Sequence, residues 1–136
     1  MQKKHYPDVK KIENKTEGFK GMFQRFLWTK DDGCQNFAMR LMEFEPHGHT
    51  SYHAHLEEHE FFFLEGEAAY VGADANEIRL SVGDTVYVPP DEPHQIKNVG
   101  DTVMKMICTI PILPGGDGKK PVTRPDCKDY VKKERL

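Results

Sequence analysis

The chain has 136 residues, which suits one domain and is too short for two with separate cores. Hydrophobic residues make up 38% and charged residues 30%; this composition excludes a disordered chain, and no apolar run approaches the length of a membrane span. A net charge of −3 at pH 7 is too near neutral to imply a nucleic-acid partner.

Residues 1–18 show no clear period and read as an irregular N-terminal arm. Met1 to Lys11 is basic and polar, without the apolar core of a signal peptide, so a cytoplasmic protein is expected. From Phe19 onward the chain reads as short strands between turn signals, near 19–28, 36–44, 51–55, 59–65, 68–72, 77–81, 85–89, 93–98 and 102–112. The breakers include Asp31-Asp32-Gly33, Pro46-His47-Gly48, Glu65-Gly66, Gly83-Asp84, Pro89-Pro90 and Gly100-Asp101. Many short strands at this spacing predict an all-β sandwich or barrel over 19–114. A polar C-terminal tail follows over 115–136, either loose or ending in a short helix near 126–133.

Three widely spaced cysteines, Cys34, Cys108 and Cys127, argue against a disulfide framework, and the absence of Cys-x-x-Cys argues against a thiolate zinc knuckle. Lysines crowd both ends, whereas Glu57, Glu58, Glu60, Glu65 and Glu67 make the middle acidic. Solvated ends on an acidic body is the simpler reading; basic ends packed on an acidic neighbour in a dimer is the sharper one.

The chemistry concentrates in four histidines. His53 and His55 lie two apart, so on a strand they present two imidazoles on one face. His59 follows after a tight bend, and His94 arrives on a separate strand. Imidazole nitrogen is accepted by zinc, iron, manganese and nickel, so one divalent transition metal ion is the implied cofactor.

Taken with the turn residues around them, these histidines form two ordered motifs. Gly48, His53-Ala54-His55 and Gly66 make the first; Gly83, Pro89, His94 and Asn98 make the second. On these motifs the chain resembles the cupins over roughly Arg40 to Pro114. The resemblance implies a double-stranded β-helix, the cupin jelly-roll barrel, with the ion inside one end.

Three departures stand out. Gly48 sits one place later than the pattern asks, Asp91 replaces a turn glycine, and His59 stands where the family usually has a carboxylate. Glu60 is the rival ligand, but strand neighbours face opposite sides and the spacing to Gly66 favours His59. His53, His55, His59 and His94 are therefore the expected ligands.

Four neutral imidazoles leave the full dipositive charge on the ion. Such a centre attracts a small anionic molecule such as a carboxylate, enolate or phenolate. The resemblance suggests a metal-dependent enzyme, with dioxygenase chemistry first and isomerase or cyclase chemistry behind it. A non-catalytic module that binds or senses a small ligand or the metal is the other class. Glu60, if it faced inward, would be the catalytic base. Phe61 and Phe63 share parity with His59 and should line a pocket, although aromatic side chains also serve as plain core. Met104, Met106 and Cys108 point inward, the methionines as core and Cys108 toward the pocket. Tyr52 should face away from the ion. His47 and His49 read as exposed turn residues. Exposed sheet edges predict a homodimer, joined through the arm or Phe26-Leu27-Trp28.

Overall fold

The computed structural model describes residues 1–122 and has nine strands among them, most of them marked by alternation of apolar and polar residues. They are β1 (Ile12–Glu13), β2 (Lys20–Trp28), β3 (Phe37–His49), β4 (His59–Glu65), β5 (Ala68–Val71), β6 (Glu77–Leu80), β7 (Thr85–Val88), β8 (Gln95–Asn98) and β9 (Met104–Pro111). Short 3₁₀ turns span Tyr6–Asp8 and Lys30–Asp32. The antiparallel sheet runs β6-β5-β8-β3-β9-β4-β7, with β2 paired to β3 and β1 to β2. The fold is a jelly-roll barrel, the architecture that the motifs implied.

β3 is the central strand and turns the corner of the barrel. Its first part lies between β2 and β9, with Met42 opposite both Gln24 and Met106. Pro46-His47-Gly48 reads in the sequence as a break, yet the strand continues through it. Residues 45–48 bulge out where the pairing with β2 jumps from Met22↔Phe44 to Lys20↔His49. Past the bulge, His49 pairs with Lys97 of β8. Gly48 permits this bend because its Cα approaches the β2 backbone. A Cβ there would stand 2.6 Å from the Gly21 carbonyl oxygen.

The segment 51–55, read as a strand, is a connection with a single bridge, His53 opposite His94. Each donates its backbone N–H to the other's carbonyl, at 3.0 and 2.9 Å. The ladder stops there because Pro89, Pro90 and Pro93 on the facing segment have no N–H to offer.

Met22, Phe44, Phe63, Ile96, Met104 and Met106 form the centre of the buried core. Gly66 makes the tight turn between β4 and β5 at φ 84°, with a Cβ position only 2.9 Å from Met104 Cα. Asp91 takes φ 61°, the left-handed conformation of the glycine it replaces. Buried Asn98 donates to the carbonyls of Phe44 (3.0 Å), Glu45 (3.1 Å) and Thr102 (2.8 Å), and accepts from Gly100 N–H. One side chain thus stitches the β3 bulge to the β8–β9 turn.

The N-terminal segment lacks a sequence period because tertiary contacts, not local pattern, order it. Ile12 pairs with Gln24 of β2, Arg25 Nη1 donates to Val9 carbonyl at 2.6 Å, and Lys4 Nζ lies 2.7 Å from Asp32 and over the Trp28 ring. Buried Glu43 is met by Lys11 (3.4 Å), Arg25 (3.5 Å) and Lys105 (3.9 Å). At the other end, Val122 is tied to Leu56 and Glu57. The expected helix near 126–133, and Cys127, lie outside the described residues. Among the described residues no helix is long and apolar enough to cross a membrane.

Candidate metal centre

His53 and His55 come from the connection after β3, His94 from the residue before β8, and His59 from the first position of β4. The bridge between His53 and His94 sets these two rings side by side, with centroids 4.7 Å apart. Ring nitrogens of His53, His55 and His94 all lie within 4.8 Å of one another, the spacing of a shared ion. His59 adjoins the group: its Nε2 is 2.5 Å from His55 Nε2, and its ring centroid is 5.2 Å from that of His94.

The partners of the rings fix their tautomers. His53 Nδ1 lies 2.8 Å from the Ser51 carbonyl oxygen, and His94 Nδ1 lies 2.8 Å from that of Glu92. A carbonyl only accepts, so each Nδ1 carries the proton and each Nε2 keeps its lone pair. His55 Nδ1 lies 3.5 Å from Glu57 Oε2, and neither atom has a hydrogen-bond partner among the described residues. His59 Nδ1 lies 3.0 Å from Cys108 Sγ. Backbone carbonyls and a carboxylate behind the rings are the usual outer shell of metal-binding histidines.

Burial is the largest influence on the charge of every ring. It pushes His53 down to about 4, His94 to about 3, His55 to about 2, and His59 well below the usual histidine range. Mutual repulsion and the charge of Arg40 act in the same direction. The rings are neutral at physiological pH, with lone pairs aimed at one another. Such lone pairs repel unless a cation is bound between them, and buried neutral imidazoles suit a divalent transition metal. The residues therefore fit the ion.

The rings stand in a cavity of about 370 Å³. Phe19 stacks on His53 with centroids 5.7 Å apart, Phe61 lies 5.0 Å from the His59 ring, and Met22, Phe26, Met42 and Ile110 extend the apolar wall. Lys15 of the N-terminal segment and Lys119 and Lys120 of the C-terminal segment also border it. Tyr70 is stacked parallel to His94 and donates to Glu92 at 3.1 Å.

The condition set for Glu60 is not met, and two expectations, for Phe63 and Cys108, need correction. Glu60 is exposed and borders an outer depression with Phe37, Glu58, Thr109 and Pro111, on the face opposite the cavity; strand parity turns it away, so it is not the base. Phe63 is packed in the core and does not line the cavity, because it sits one strand repeat beyond Phe61 and the barrel closes over it. Cys108 stands behind His59 instead of forming cavity wall, and burial pushes its thiol up. Tyr52 points away from the rings and donates to Gly72 carbonyl at 2.8 Å. His47 is exposed, and half-buried His49 contacts the Thr50 carbonyl.

The sequence reading passed over Arg40 and Glu57. Arg40 is 4% exposed and lines the cavity from β3. Its signal was parity with Ala38, Met42 and Phe44, all buried on the same face. Glu57 is buried too: Oε1 accepts from Val122 N–H at 2.6 Å while Oε2 faces His55. It lies in a loop, where no period marks the inward side.

A family model described as Cupin domain matches residues 40–110, just over half of the chain. An uncharacterized protein of Methanocaldococcus jannaschii is 30% identical over 59 residues, 43% of this chain and 47% of that protein. The match thus spans about half the length of that curated relative. The structure of the polyketide cyclase RemF from Streptomyces resistomycificus superposes with a TM-score of 0.79 at 26% identity, covering 97% of this chain and 93% of that one. A predicted oxalate decarboxylase from Thermotoga maritima superposes with a TM-score of 0.69 at 22% identity, covering 80% and 97%; at that identity the likeness concerns the fold.

Proposed function

The chain belongs to the cupin domain family, and from that premise we propose that the cavity is the active site of a metal-dependent enzyme acting on a small anionic molecule. The observation that carries this reading is the convergence of three ring nitrogens, from half-buried His53 and buried His55 and His94, within 4.8 Å at an apolar-walled cavity. His59, whose Nε2 adjoins that of His55, is the proposed fourth ligand. A divalent ion held by neutral imidazoles keeps its full charge and supplies Lewis-acid polarisation of a substrate oxygen.

The chain's own residues prepare that chemistry. Ser51 and Glu92 hold two rings by their carbonyls, and the Glu57 carboxylate stands 3.5 Å behind a third. Phe19 and Phe61 exclude water from the ring edges, which strengthens every charge interaction inside. The rim carries both signs of charge, Lys15, Lys119 and Lys120 beside Glu13 and Asp117, so the positive charge that would receive an anion is that of the ion and the interior.

The reaction proposed is redox-neutral enolate chemistry, a cyclisation or isomerisation. Its support is the likeness to a polyketide cyclase over nearly the whole chain. Dioxygenase chemistry, which the motifs put first, is separated from it by oxygen uptake. The test is elemental analysis of unchelated protein, followed by turnover of a panel of aromatic and β-keto acids by metal-loaded protein in an oxygen electrode cell. Turnover without oxygen uptake supports the proposal, and turnover with stoichiometric uptake replaces it by a dioxygenase. Fully loaded protein that binds members of the panel and turns over none is a binding module. A homodimer in the cytoplasm is proposed as the working form; a monomeric mass by light scattering at micromolar concentration counts against the dimer.

A further inference from the structure

Arg40 is a buried cation with no carboxylate paired to it among the described residues. It is 4% exposed, and its Nη2 donates a hydrogen bond to Cys108 Sγ at 3.0 Å. Its Nε has no hydrogen-bond partner among the described residues. Among the described residues no carboxylate lies within ion-pair distance of it, although Glu43, three residues along the same strand, is met by three cations on the other face. A guanidinium taken out of water costs several kcal/mol unless an anion and good hydrogen bonds offset the loss. A fold that needed only bulk at this position would use methionine, as it does at Met42 and Met106 on the same face.

The guanidinium borders the same cavity as the four histidines, and its charge reaches all of them. A bound divalent ion would add two further positive charges. Glu13, Glu57 and Asp117 also border the cavity and offset part of this charge, but they do not outweigh Arg40, the three lysines and the ion, behind walls of Phe19, Phe26, Phe61 and Met42. Guanidinium offers a planar fork of N–H donors matched to two oxygens in one plane.

We propose that Arg40 is the anion-receiving residue of this cavity, and that the ligand is an apolar or aromatic body carrying a carboxylate or a conjugated oxyanion. This deepens the reading of the cavity as a substrate site and rests on it. The ligand's anion supplies the missing partner of the guanidinium, and its ring lies against the aromatic wall. Arg40 then acts as a specificity-determining residue that favours acids over their neutral analogues.

Benzoate and benzamide serve as probes, being alike in shape and different in charge. Calorimetric titration is made on the full chain after dialysis against EDTA and again after zinc loading. The metal-free protein should bind benzoate at least tenfold tighter than benzamide. Arg40→Met should lose that preference, with unchanged zinc content and a melting temperature that does not fall. Equal affinity for the two probes in the metal-free wild type overturns the proposal, as does an undiminished preference in Arg40→Met. If Arg40→Met does not fold, the wild-type comparison still decides, because it needs no variant. Metal loading keeps the two readings apart. Protein that prefers benzoate and takes up no zinc sinks the metal-enzyme reading alone; protein that takes up zinc and ignores the charge of the probe sinks the assignment to Arg40 alone.

Discussion

Cys108 Sγ stands 3.0 Å from His59 Nδ1, across the β4–β9 ladder. Cys108 lies directly opposite Phe61 on β4 and directly opposite Arg40 on β3, so His59 is its diagonal neighbour on the inner face. One sulfur thus meets both the fourth imidazole and the buried guanidinium.

Removing that sulfur should loosen the ring that it orients. Cys108→Ala is expected to lower zinc affinity by about 10–100-fold, the usual effect of losing an outer-shell partner of a ligand. Cys108→Ser keeps an acceptor in place and should stay within about threefold of the wild type. Competition with a chromophoric chelator measures both; equal affinity in all three proteins would show that the sulfur does not position His59.

Strand parity separates His59 from Glu60. His59→Ala should bind less zinc after dialysis, because a ring nitrogen beside His55 is lost. Glu60→Ala should keep wild-type zinc content, because its carboxylate lies on the outer face. Elemental analysis reads both, and the opposite pattern would make Glu60 the ligand.

Asn98 supports the site without touching it. Asn98→Ala leaves the carbonyls of Phe44, Glu45 and Thr102 without their shared donor. The expected cost is about 2–4 kcal/mol of unfolding free energy, read by urea denaturation. The folded fraction should still bind zinc stoichiometrically. A loss below about 0.5 kcal/mol would mean that water replaces the side chain.

The depressed histidines make stability depend on pH. In the unfolded chain each imidazole titrates near 6.5, whereas in the folded metal-free protein His53 stays neutral to about 4 and His94 to about 3. Between those values the unfolded state binds more protons, so stability is full above 6.5 and falls as the pH drops. Each such ring contributes a slope of about 1.4 kcal/mol per pH unit in that window. The melting temperature of EDTA-treated protein from pH 7.5 to 4.5 checks this. The same shifts move proton competition for the metal from near 6.5 to lower pH, so zinc should remain bound at pH 6 and be released between about 5 and 3. Release already complete at pH 6 would show rings that titrate as in free histidine.

Much of this molecule is local information. Period-two alternation is clearest in β4 and β9, because in a strand the inward side of each residue follows from its neighbours alone. The same parity separates His59 from Glu60, and the spacing of Gly66, Gly83 and Asn98 marks the turns on which the sheet folds back. Pro46-His47-Gly48 misled because a bulge and a turn share the same residues. Only the pairing across Gly21 distinguishes them.

The sequence by itself determined an all-β chain with four histidines held near turn residues, since those properties depend on residue type and separation. Tertiary structure alone decided that His53 and His94, forty-one positions apart, bridge backbone to backbone and so bring their rings together. It also decided that the Glu57 carboxylate stands behind His55, and that Arg40 is sealed beside the rings with no carboxylate within ion-pair distance among the described residues. Such relations join separate strands and loops. They exist only once the sheet has curled and excluded water, and no pattern along the chain encodes which buried charge will lack a partner.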